Sequence, residues 1–142
     1  MIIRTELEML EFGAQLAVTL GVGDWVAIDG PLGAGKTVLS KGILAALGYA
    51  GEVTSPSYAL VHNYEPPELS VAVAHADLYR LEDAEELHEL GLAEEHDERI
   101  TLVEWAERAP GYGHPTHHII ITPQGDGSRI VEYKTGTNDS SD

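Results

Sequence analysis

Gly30-Pro31-Leu32-Gly33-Ala34-Gly35-Lys36-Thr37 meets the spacing Gly-x-x-x-x-Gly-Lys-[Ser/Thr] without a gap. No other stretch restricts the fold as strongly. Backbone N–H groups can turn inward around a phosphate only where no Cβ obstructs them, and glycine supplies that freedom. Lys36 brings a point charge for the outer phosphates, and Thr37 a hydroxyl for Mg²⁺. The flanks agree with the motif. Trp25–Asp29 reads as a short buried strand, and Thr37–Leu47 as a helix with Val38, Leu39, Ile43, Leu44 and Leu47 at helical spacing. Gly48 stops that helix. Its N-terminus aims free N–H groups and the positive end of its dipole at the anion. Gly33, Ala34, Gly35, Lys36, Thr37 and Val38 are therefore expected to bind a nucleoside triphosphate.

The 142 residues suit one domain, expected over 1–134, with 135–142 as a disordered tail that has nothing to bury. No apolar run reaches membrane-spanning length, and charged residues follow Ile2-Ile3 at once, so neither a membrane span nor a signal peptide is expected. Without cysteine there is no disulfide framework and no cysteine zinc site, and a cytoplasmic location follows as the expectation. The 24 acidic side chains against 8 basic ones give a formal charge of −16. Such a surface repels nucleic acid and anionic membrane, so work on RNA is expected to pass through a partner.

Thr5 and Glu8 form a capping box that opens a helix running to about Leu20, with Leu7, Leu10, Ala14, Ala17 and Val18 expected inward. Beyond the loop helix, Ala59–Tyr64 and Val71–Asp77 read as strands that pair antiparallel across a tight Glu65–Glu68 connection. Asp83 caps a helix to Leu90, stopped by Gly91, with Ala84, Leu87 and Leu90 facing inward. Ile100–Val103 is a further buried strand, and His117–Thr122 with Arg129–Lys134 makes a hairpin. The predicted fold is a three-layer α/β domain of phosphate-loop NTPase type. Its mixed sheet has a parallel centre and antiparallel flanking strands.

Two apolar strands deliver a carboxylate at their C-terminal ends, Asp77 and Glu104. Ligands gather at the carboxyl ends of strands in open α/β sheets, and an acid there suits the metal-holding group of phosphate-loop enzymes. The competing reading for each is a helix cap or a surface charge. Ser55-Pro56-Ser57-Tyr58 offers Ser55 and Ser57 hydroxyls to phosphate, metal or water; an ordinary serine-capped turn is the alternative. Arg80 has three options: Asp77, phosphate or a partner. Trp105 reads as a packing residue. His114, His117 and His118 could suggest zinc, but Pro115 between them, the lack of cysteine and the strand that follows argue against it.

A GTPase would carry an Asn-Lys-x-Asp element, and none is present. A small-molecule kinase needs an arginine-bearing lid and an acceptor pocket, yet the five arginines are scattered and little chain is left over. A minimal ATP-binding switch remains.

Gly30–Thr37, Ser55-Pro56-Ser57-Tyr58, His75-Ala76-Asp77-Leu78-Tyr79-Arg80 and Glu104-Trp105, in this order, resemble the motif set of the TsaE (YjeE) family. Phe12–Ala17 is similar to that family's first-helix segment, and the likeness runs from about Thr5 to Lys134. Ser57 stands where the family usually has threonine, and Ala76 where a bulky apolar residue is common. The resemblance implies a weak ATPase acting with TsaB and TsaD in threonylcarbamoyl transfer to the adenosine beside the tRNA anticodon. It also implies that Lys36 binds phosphate, that Thr37 and Glu104 hold Mg²⁺, and that Asp77 assists at the metal or water. The alternatives are a nucleotide-sensing module without useful hydrolysis, or a small-molecule phosphotransferase.

Overall fold

Trp25–Asp29 is buried at all five positions, as a strand covered on both faces must be. It is the middle strand, β2, of a seven-stranded sheet in the computed structural model, which describes residues 1–56 and 59–136. In chain order the elements are β1 (Ile2–Ile3), α1 (Glu6–Thr19), β2, α2 (Lys36–Ala46), β3 (Val61–Tyr64) and β4 (Val73–Asp77). There follow α3 (Ala84–Leu90), β5 (Ile100–Glu104), β6 (His117–Pro123) and β7 (Arg129–Thr135), with single 3-10 turns at His96–Glu98 and Ala106–Arg108.

The strand order is β1-β7-β6-β2-β5-β4-β3. β2 pairs parallel with both β5 and β6, and β4 pairs parallel with β5. The outer pairs β3–β4, β6–β7 and β1–β7 are antiparallel. The parallel centre and antiparallel flanks expected from the sequence are therefore present. Alternation along the central strands feeds two cores. Val26, Ile28, Ile100, Leu102, Ile119 and Ile121 pack on the face covered by α1 and α2. Trp25, Ala74, Ala76 and Val103 pack on the other, with Leu87 of α3 and Leu92. That makes three layers.

The N-cap half of the capping box forms as read, with Thr5 Oγ1 accepting the Glu8 N–H at 3.0 Å, while the return bond falls one residue earlier than a capping box places it. The Glu8 carboxylate reaches back to the Arg4 N–H at 2.6 Å. The expected inner face of α1 is corrected. Leu7 and Val18 are exposed, and the buried residues are Met9, Phe12, Gly13, Leu16 and Ala17. The cause is a close crossing with α2. A Cβ on Gly13 would lie 2.7 Å from the Leu39 carbonyl oxygen, and one on Gly42 2.4 Å from that of Leu10. The two backbones come into contact at these glycines, so the side of α1 that carries Gly13 is the one turned toward α2.

β3 starts at Val61, two residues later than expected, because Leu60 adopts a left-handed φ of 71° that breaks the extended run. α3 keeps its Asp83 cap, the carboxylate accepting the Glu86 N–H, and its Gly91 stop; Leu87 is buried whereas Ala84 is exposed. Thr135 ends β7 opposite His117. The rest of the expected tail, from residue 137, lies outside the described residues.

Candidate nucleotide site

Middle strand β2 leads straight into the glycine loop, and the loop into α2, so the motif sits over the carboxyl ends of β2, β4 and β5. Gly35 holds the N-cap of α2 at φ 110°, a conformation that side-chain-bearing residues rarely adopt. The loop floors a cleft of about 390 Å³. Gly33, Ala34, Gly35, Lys36, Thr37, Val38, Asp77 and Glu104, all named from the sequence, line it together with Ser55. Ser57, the remaining sequence candidate, lies outside the described residues.

Lys36 is buried, its ammonium donating to the Gly30 carbonyl and, at 2.8 Å, to that of Pro31. Burial pushes its pKa down from the ordinary lysine value, while the carboxylates of Glu104, Asp77, Glu107 and Asp29 act against that shift. The ring of Trp105 lies 4.1 Å from Lys36 Nζ, a cation–π contact, and 4.8 Å from the ring of Tyr79. Trp105 is thus a packing residue as expected, but its packing is against the charge of the site. It takes a left-handed φ of 59°, unusual for a bulky residue.

Glu104 is only 1% exposed. Its Oε1 accepts from Thr37 Oγ1 at 3.0 Å, and its Oε2 from Ser40 Oγ at 3.2 Å and His75 Nε2 at 2.6 Å. Asp77 is nearly as buried, accepting from Ser55 Oγ at 2.9 Å and from the Tyr79 N–H at 2.9 Å. A buried carboxylate needs such donors to offset its lost hydration. Neither acid is a helix cap or a surface charge.

The opposite side of the cleft holds residues that the sequence did not point to. Thr5, Glu6 and Met9 come from the start of α1, and Arg129 from the start of β7. Arg129 donates from Nε to the Ala34 carbonyl at 2.6 Å and from Nη2 to that of Gly33 at 3.2 Å, bracing the loop from outside. The capping box at Thr5 marked a helix start but not what that start faces. Arg80 is exposed and does not line the cleft. The three histidines diverge: His117 bonds Tyr133 Oη, His118 bonds Asp29, and His114 stacks on His96.

Residues 3–131 match the family described as threonylcarbamoyl adenosine biosynthesis protein TsaE. The chain is 35% identical to the tRNA threonylcarbamoyladenosine biosynthesis protein TsaE of Haemophilus influenzae, over 94% of this chain and 87% of that one. It is 39% identical to the protein of the same description from Mycobacterium bovis, over 70% of this chain and 64% of that one, just under two-thirds of the mycobacterial length. The crystal structure of YdiB from Bacillus subtilis superposes with a TM-score of 0.78 at 26% identity, covering 97% of this chain and 84% of that one. With a family match across nearly its whole length and relatives of this identity, the chain belongs to the TsaE family.

Proposed function

We propose that the protein binds and hydrolyses ATP with Mg²⁺, and that hydrolysis serves threonylcarbamoyl transfer to the adenosine beside the tRNA anticodon, together with TsaB and TsaD. The observation that carries this reading is the convergence of Lys36, Thr37 and Glu104 in one cleft floored by the glycine loop. The family match supports the tRNA pathway, and the relatives' description names it.

The donors present fit Mg²⁺. The Thr37 hydroxyl and the Glu104 carboxylate are hard oxygen ligands set 3.0 Å apart. Among the described residues no group of three or more His, Cys, Asp or Glu could cage an ion alone, so it would complete its shell with phosphate oxygens and water. Once bound, it neutralises charge that develops on the phosphates. Lys36 and the loop N–H groups bind and orient those phosphates. Ser55 and Asp77 sit together beside them, placed to orient water. Thr5, Glu6, Met9 and Arg129, which also line the cleft, would meet the nucleoside. The acidic surface, with its formal charge of −16, leaves tRNA contact to the partners.

Phosphate release from ATP by the purified protein, alone and with TsaB and TsaD, tests the reading. Turnover that rises on adding the partners supports it. Nucleotide binding with no turnover under either condition would leave a sensing module, and transfer to a small acceptor instead of water would make it a phosphotransferase.

A further inference from the structure

Glu104 is bonded differently at its two oxygens. Oε1 meets the Thr37 hydroxyl, which belongs to the glycine motif. Oε2 is tied to the protein interior by Ser40, one turn further along α2, and by His75 in the middle of β4. The His75 bond is the shorter, at 2.6 Å against 3.2 Å. His75 is fully buried and stands two residues before Asp77, so both side chains point to the same face of β4. Its other nitrogen, Nδ1, is buried and without a hydrogen-bond partner among the described residues. A bare ring nitrogen tolerates that better than an orphaned N–H, and a carboxylate can only accept. Both facts put the ring proton on Nε2, directed at Glu104. A leucine would fill the same space in the apolar strand. An imidazole with one nitrogen spent on Glu104 and the other on nothing serves that single bond.

We propose that His75 is a positioning residue that donates from Nε2 to Glu104 Oε2, fixing the carboxylate so that Oε1 stays beside Thr37 for the divalent ion. This rests on Glu104 being a metal-holding acid, as proposed above. Ligand orientation by a partner outside the coordination shell is worth about 10- to 100-fold in metal affinity where it has been measured.

The test is the Mg²⁺ concentration that half-saturates binding of a fluorescent ATP analogue, read without turnover, in wild type and in His75→Phe, His75→Gln, His75→Asn and Glu104→Ala. Circular dichroism and thermal melts report folding. Glutamine carries its amide nitrogen near the place of Nε2, whereas asparagine reaches only the place of Nδ1. The expected result is about a tenfold rise in that concentration for Phe and Asn, with Gln within about twofold of wild type. Folded Phe or Asn variants with an unchanged Mg²⁺ requirement overturn the proposal, as does a Gln variant as impaired as Asn. Should His75→Phe not fold, the Gln–Asn pair decides. If Glu104→Ala itself leaves the Mg²⁺ requirement unchanged, the metal-holding role of Glu104 fails and the role of His75 goes with it.

Discussion

Asp77 and Glu104 are register partners at the ends of adjacent parallel strands, β4 and β5. Their side chains are bonded to different parts of the molecule. Glu104 holds α2 through Thr37 and Ser40, whereas Asp77 holds Ser55 in the segment that follows that helix. One acid is built into the helix that follows the glycine loop and the other into a neighbouring loop, so their losses should differ in kind.

Glu104→Ala and Asp77→Ala are each expected to lower partner-stimulated ATP turnover by about ten- to a thousandfold, the range of single-group effects on transition-state charge. ATP affinity should fall less than turnover. Glu104→Gln keeps the shape and can still accept from Thr37, so if negative charge is what counts it should be nearly as damaging as Ala. Single-turnover phosphate release with TsaB and TsaD separates the effects. Full turnover in either alanine variant would make that acid structural.

Arg129 braces the loop through the carbonyls of Ala34 and Gly33. Arg129→Ala should weaken ATP binding by about ten- to a hundredfold, in line with about 1.5–3 kcal/mol for hydrogen bonds from a charged group. Lysine at this position should recover little, since an ammonium lacks the planar fork that spans two carbonyls. Calorimetric titration with the nucleotide measures both variants.

Gly42 sets propensity against sterics. Inside a helix, Gly→Ala normally stabilises by about 0.5–1 kcal/mol. Here the added Cβ would sit 2.4 Å from the Leu10 carbonyl oxygen, a backbone atom that cannot swing aside. Overpacking of this sort costs about 1–3 kcal/mol, so Gly42→Ala should destabilise the protein. Gly125→Ala, with nothing within 4 Å of the new Cβ, is the control and should stay within about 0.5 kcal/mol. Urea unfolding of the two variants gives the comparison, and a stabilised Gly42→Ala would refute the close crossing.

The parts legible in the sequence are those carried by local pattern. The glycine loop, its strand and helix, and the acids ending β4 and β5 are all contiguous signals; the loop, the first residues of its helix and both acids line the cleft. What escaped depends on residues far apart in the chain. The two-residue β1 is too short to show any alternation and exists only because β7 offers it an edge. Arg129 reaches the loop because β6 lies beside β2 and brings β7 with it, a placement no local feature encodes. Met9, Phe12, Leu16 and Ala17 form one apolar stripe of α1 and Leu7, Leu10, Ala14 and Val18 offer a competing one; the crossing with α2 at Gly13, a long-range contact, decides between them. His75 stands in the sequence motif without a role of its own and Ser40 carries no motif at all; only the fold brings both to Glu104.

Lys36 offers the most direct test of whether this cleft holds the phosphates of ATP, as proposed. Its ammonium is buried beside the Trp105 ring and held by the Gly30 and Pro31 carbonyls. Calorimetric titration of Mg²⁺-ATP into wild type and Lys36→Ala, with circular dichroism to establish that both are folded, is the decisive measurement. Saturable binding by wild type and none measurable in a folded Lys36→Ala is the predicted result. Equal affinity in the two folded proteins would contradict it.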